Sequence, residues 1–208
     1  MVYGIIIHSA ECHEKLYFSS YYSIESNDKN QYVRQQTIMK RVIEEIKYYE
    51  ESKEIFENTT KNNKEKYLDL LGKFLSKNAN NTIKIESEGF FRIVDPSLFK
   101  NKINIMWKVL NKICYTLVLF THENIHLADY FLHTFIITLR ERNDKIKKNM
   151  RNNTNLFNPD TVLSILYFFL PKGQLMLINQ NYTKFLNNEV NKFLEEQAKV
   201  KTKDYKIE

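Results

Sequence analysis

Five consecutive residues carry the only arrangement in this chain that resembles catalytic chemistry. His122-Glu123-Asn124-Ile125-His126 reads H-E-x-x-H. In that signature two histidines one helical turn apart bind zinc, and the glutamate activates a zinc-held water. Two histidines leave the site incomplete, because catalytic zinc takes three protein ligands plus a water. The extended form of the signature needs glycine seven residues after the first histidine and histidine ten residues after it. Asp129 and Leu132 stand there, and His133 comes one residue late, turned about 100° around a helix. For the glutamate-type variant, Glu141 follows within less than a helix-turn-helix, and Glu189 is the next glutamate. His122 also follows directly on the apolar run CYTLVLFT. His122 and Glu123 are therefore expected at a strand-to-helix corner, where a carboxylate beside a helix N-terminus is favoured without any metal. The reading is no catalytic residue, no metal and no cofactor.

Other reactive side chains are scattered. Cys12 and Cys114 stand alone without C-x-x-C spacing, which points away from a disulfide scaffold or thiolate zinc site and toward a cytosolic chain. Cys12-His13 is adjacency on a turn rather than a nucleophile with its base. With four glycines and no P-loop or G-x-G-x-x-G, nucleotide binding has no support. Trp107, Tyr17, Phe18, Phe90 and Phe91 have mostly aliphatic neighbours, which reads as core rather than a base-stacking platform. The net charge of +6 raises nucleic acid as a partner. Only 6 of the 31 basic residues are arginine, however, whereas phosphate readers favour its fork. The charge is also local. Arg140–Arg151 carries +4 and Lys199–Lys206 carries +3, leaving −1 on the rest. Cations at helix ends need no partner, and an acidic subunit or membrane headgroup suits two such patches better than DNA.

The elements that must position these residues follow from hydrophobic period. Val2–Ser9 is apolar on both alternating faces, as in a strand covered on both sides. Leu16–Tyr22 reads as a second strand. Ser26, Asn27 or Asp28 caps a helix to about Tyr49, with Ile38, Met39, Val42, Ile43, Ile46 and Tyr49 inward. Glu50–Glu88 is polar and charge-rich and reads as an insertion. It holds one amphipathic stretch (Tyr67, Leu68, Leu71, Phe74, Leu75) and a turn at Asn78–Asn81. Strands follow at Gly89–Val94, Ile103–Leu110 and Ile113–Thr121, the last two joined by an Asn111-Lys112 turn in which lysine is a poor second residue. Helices are expected over 124–143 (Ile125, Ala128, Leu132, Phe135, Leu139 inward), over 158–170 behind an Asn158-Pro159 cap, and over 181–198 (Tyr182, Phe185, Leu186, Val190, Phe193 inward). Gln174–Asn179 runs extended between the last two.

The order β-β-α-β-β-β-α-α plus a C-terminal helix gives the fold class: α/β (α+β), a five-stranded, mostly antiparallel sheet flanked by helices on both faces. One domain spans 1–198 with the insertion at 50–88, and 199–208 is a polar, lysine-rich tail. The longest apolar runs fall below the roughly 20 residues of a membrane span, and the start lacks a basic n-region.

Three segments in this order carry a specific resemblance: the opening MVYGIIIH; the strand CYTLVLF running into THEN and Leu127-Ala128; and ILYFFLPKGQLMLIN before the last helix. Over most of 1–25 and 89–195 the chain resembles the sigma (small) subunits of the fifth adaptor-protein complex, which are longin-fold members of the clathrin-adaptor small-subunit superfamily. In that family the position of His126 is usually aliphatic. The resemblance implies a non-enzymatic sigma subunit in a heterotetramer with two large subunits (zeta and beta) and a medium (mu) subunit. It implies cytoplasmic, peripheral action on late endosome and lysosome membranes, in protein sorting and retrieval with spatacsin and spastizin. It also sets Lys15 at the approximate place of a basic residue that, in sigma subunits of better-known adaptors, helps bind acidic dileucine signals. Beside a strand start, Lys15 itself reads as a solvated turn charge. The residues leave open another longin trafficking protein, such as a tethering or coat subunit, and an H-E-x-x-H zinc peptidase.

Overall fold

The computed structural model describes residues 1–23, 28–60, 85–149 and 158–204. Five strands, β1 (Val2–Ser9), β2 (Leu16–Tyr21), β3 (Ser87–Ile93), β4 (Ile103–Leu110) and β5 (Ile113–Phe120), form one sheet in the order β2-β1-β5-β4-β3. Every ladder is antiparallel. Helix α1 (Gln31–Thr60) covers one face, while α2 (Ile125–Asn149), α3 (Pro159–Phe169) and α4 (Gln180–Asp204) belong to the other. The expected fold class and element order are thus met.

Burial explains why the strands read as they do. All eight residues of β1 and all eight of β4 are buried, so neither strand alternates in sequence. Tyr3, Ile6, Ile105, Trp107 and Val118 pack with Ile38, Met39, Val42 and Ile46 of α1. Ile5, Ile7, Leu117 and Leu119 pack with Phe131, Phe135 and Leu139 of α2 and Val162, Ile165 and Phe169 of α3. Strand β3 alternates instead, as the last strand of the sheet.

Asparagine side chains open three helices. Asn124 Oδ1 accepts from the Leu127 amide at 3.1 Å, Asn158 Oδ1 from Asp160 at 2.9 Å, and Asn179 Oδ1 from Tyr182 at 2.8 Å, satisfying first-turn donors. The Asp28 carboxylate accepts from the Asn30 amide and holds the buried Arg34 guanidinium through Nη1 at 2.8 Å and Nη2 at 2.7 Å. Arg34 also donates to the Leu98 carbonyl, tying the start of α1 to the β3–β4 connection.

Several boundaries differ from the reading. Helix α1 continues eleven residues past Tyr49 to Thr60, because no glycine or proline interrupts it. Residues 61–84 of the expected insertion, with its amphipathic stretch and Asn78–Asn81 turn, lie outside the described residues. Strand β3 starts at Ser87, two residues early, where Ser87 is buried and Glu88 pairs with Lys108 across the ladder. Helix α2 runs six residues past Asn143 into the basic stretch, and α4 reaches Asp204. Asn111 and Lys112 both take positive φ, 52° and 61°, as the two-residue hairpin requires. Lysine is tolerated because Glu86 accepts from the Asn111 amide at 2.8 Å and the Lys112 amide at 3.5 Å, while the Lys112 ammonium meets Glu11 at 2.8 Å.

Gly173 explains a second turn. After α3, Pro171–Gly173 forms one 3-10 turn with Lys172 at φ 50° and Gly173 at φ 75°. A Cβ on Gly173 would fall 2.6 Å from Tyr22 Cγ. The turn therefore packs against the end of β2 only with glycine there.

Candidate docking surface

The residues of the zinc-like signature are not arranged as in a zinc helix. Helix α2 begins at Ile125, so His122 lies before it. Its ring stacks on Phe120 with centroids 5.7 Å apart and planes 8° apart, and its Nε2 lies 3.2 Å from Glu123 Oε1. The same carboxylate oxygen pairs with the Met1 amino group. His126 occupies the exposed first turn of α2, and His133 is half-buried farther along it. Among the described residues no three His, Cys, Asp or Glu side chains converge on a point where a metal could sit.

The remaining sequence candidates are equally dispersed. Cys12 is exposed, and Cys114 is buried with its thiol pushed up to about 12 by burial. Lys15 sits on the β1–β2 turn with its Nζ 5.5 Å from the Tyr17 ring centroid, and its carbonyl accepts from the Ser9 amide. Trp107 is core, as expected, and closes over Gly89, where a Cβ would fall 2.5 Å from its ring. Phe90 is a correction: it is 43% exposed, because β3 extends past the helical layer. The described part of the first basic patch includes Arg142. Its guanidinium reaches Asn191 Oδ1 at 2.9 Å and the Asn187 carbonyl at 3.0 Å, fastening α2 to α4.

The feature that sequence periodicity misplaces is an aromatic face on α3 and α4. Tyr182 and Phe185 read as inward yet are 38% and 53% exposed; Leu186 and Val190 hold the buried side of α4. On α3, Leu163 and Tyr167, one turn apart, are 51% and 70% exposed. These rings are ordered by stacking. Tyr182 lies on Phe185 at 5.9 Å and 12°, and Tyr167 lies on Phe193 at 6.4 Å and 15°. Phe168 meets both Tyr167 and Phe193 edge-on. Leu177, in the extended link between the two helices, is 87% exposed. Clustered large apolar side chains left open to water mark a surface that another molecule covers. Rigid aromatics are the usual anchors of such a surface. Ile125 and Tyr49, also read as inward, are each 40% exposed on other parts of the molecule.

Comparison with known proteins identifies the scaffold that carries this face. In Homo sapiens, AP-5 complex subunit sigma-1 is 29% identical over 101 residues, a stretch that spans 49% of this chain and 49% of that relative. A chain in a homology model of the full-length AP-3 complex, in a stretched open conformation, aligns over 98% of this chain and 99% of its own length. It does so with 13% identity and a TM-score of 0.48. The family model described as AP-5 complex subunit sigma-1 matches residues 1–191, from β1 into the first half of α4. The chain belongs to the AP-5 complex subunit sigma-1 family.

Proposed function

We propose that this protein is the non-catalytic small (sigma) subunit of a heterotetrameric adaptor complex. The observation that carries the reading is the stacked aromatic face of α3 and α4, presented on a scaffold of this family. A subunit built to be covered needs such a face, whereas an enzyme needs a concave pocket with a few convergent polar groups. The partner for it is the zeta-type large chain, with a beta-type large chain and a mu-type medium chain completing the assembly. In this reading the protein is cytoplasmic and reaches late endosome and lysosome membranes peripherally, through the complex, where it serves sorting and retrieval. Spatacsin and spastizin are the expected further associates. Among the described residues no helix is long and apolar enough to cross a membrane, which suits attachment through partners. Lys15 is assigned no cargo role.

Affinity purification of the tagged chain from its native cell, with mass spectrometry of what co-elutes, tests the reading. A large adaptin-like chain should be recovered, and Tyr167→Glu with Phe185→Glu should lose it while circular dichroism stays unchanged. Recovery of no such chain with the unaltered protein would overturn the proposal.

A further inference from the structure

A second surface, on the opposite edge of the sheet from β2, has a shape and charge pattern of its own. Strand β3 pairs with β4 on one side, and among the described residues nothing pairs with its outer edge. Phe91 and Ile93 turn toward the α1 side of the sheet, with Gly89 under Trp107. Strand alternation therefore sends Glu88, Phe90 and Arg92 to the other face. There the helical layer ends short of β3, leaving a trough. Phe90 and Met106 form its sheet wall, and Ile125, His126 and Asp129 of the first turns of α2 form the other.

Charge along this trough is ordered. Lys108, almost fully buried, is pinned between the Glu88 carboxylate and Asp129 Oδ1, the latter at 2.8 Å. One ammonium faces two carboxylates whose side chains are 59% and 54% exposed, so this end is net negative. Two residues along β3 comes Phe90, and two further comes Arg92. Its Nε donates to Asn104 Oδ1 at 2.9 Å, and its side chain is exposed. The edge thus reads negative, apolar, positive at successive same-face positions.

We propose that this edge receives an extended segment of a protein partner, added antiparallel to β3 as a sixth strand. Free backbone donors and acceptors on an edge strand give the affinity, and alternate side chains give the selectivity. The segment's side chains are fixed by what they face across the ladder: basic opposite Glu88, apolar opposite Phe90 and acidic opposite Arg92. Read from its own N-terminus, the segment is acidic-x-apolar-x-basic. This inference does not rest on the sigma-subunit reading, because a different edge of the molecule carries it.

The test uses the 208-residue chain and a capped peptide, Thr-Glu-Thr-Leu-Thr-Lys-Thr. Isothermal titration calorimetry reads binding. Amide hydrogen exchange should slow in Ser87–Ile93 and not in β2. Phe90→Ser alters an exposed side chain and Glu88→Gln keeps an acceptor for the buried Lys108 ammonium, so folding is retained; the first should weaken binding about tenfold and the second about threefold. A peptide N-methylated at alternate residues keeps its side chains but cannot complete a ladder, and it should not bind. Absence of binding, protection elsewhere, or equal binding of the N-methylated peptide would overturn the proposal. None of these outcomes bears on recovery of a large adaptin-like chain, so the two ideas fail separately.

Discussion

His8 is fully buried in the middle of the molecule, on the α1 side of β1. Its Nδ1 lies 2.8 Å from the Ser9 carbonyl and must donate to it. Its Nε2 therefore accepts from the Thr116 hydroxyl at 3.2 Å. Burial pushes its pKa down to about 4, against the opposing pull of the Ser9 hydrogen bond. The sign follows directly. Between about pH 6.5 and 4 the unfolded chain holds a proton that the folded chain refuses, so stability falls as pH drops through that window and is complete above it. From pH 7 to pH 5 the loss should be about 2 kcal/mol. Asp28 and Asp95, held below the usual carboxylate range by Arg34 and by the Ser97 hydroxyl, add their own losses only at lower pH. Urea unfolding at the two pH values measures this, and His8→Leu should abolish the slope; an equal slope in the variant would assign it to other groups. The two cysteines differ as sharply. Cys114 is buried with its thiol held protonated, while Cys12 is exposed, and reactivity needs an accessible thiolate. A thiol reagent at pH 8 should therefore titrate one cysteine in the folded protein and two in urea; two fast equivalents without urea would mean the sheet opens around Cys114.

At the scale of elements, the strands were legible and the ends of helices were not, for physical reasons. A strand buried on both faces must be apolar throughout, and VYGIIIHS and ICYTLVLF are recognisable for that reason. A helix end is legible only where something stops it. Pro171 and Gly173 stop α3 on time, whereas no breaker follows Tyr49 or Asn143, and both helices run on. The Asn111-Lys112 turn was legible in place but not in cause, since its stabiliser, Glu86, lies 25 residues away in sequence. That carboxylate is the acceptor for two loop amides in the left-handed region. Glu86→Ala should therefore lower stability by about 1 kcal/mol, the net worth of a hydrogen bond of this kind. Thermal unfolding reads it, and an unchanged midpoint would mean that water serves the loop equally well.

The whole molecule shows why the candidate site was only half legible. Helical period placed Tyr182 and Phe185 inward together with Leu186 and Val190 because an amphipathic stripe records which side is covered, not what covers it. A face covered by a partner subunit and a face covered by the chain's own sheet leave the same signature. Only the folded structure separates them, and it leaves Leu163, Tyr167, Tyr182 and Phe185 outside. Without a partner that surface stays in contact with water, and surfaces of this kind find each other in solution. The isolated chain should therefore self-associate in a concentration-dependent way despite its net charge of +6, because repulsion is screened within about 8 Å at physiological salt. Tyr167→Lys with Phe185→Lys removes two stacked rings from the surface and adds two charges. Both positions face water, so stability should change little, by about 1 kcal/mol or less. Light scattering across a concentration series should then give a monomer for the variant where the unaltered chain gives larger species. If both associate equally, the aromatic face is not what drives association, and the two basic segments or the open edge of β3 become the surfaces to alter next.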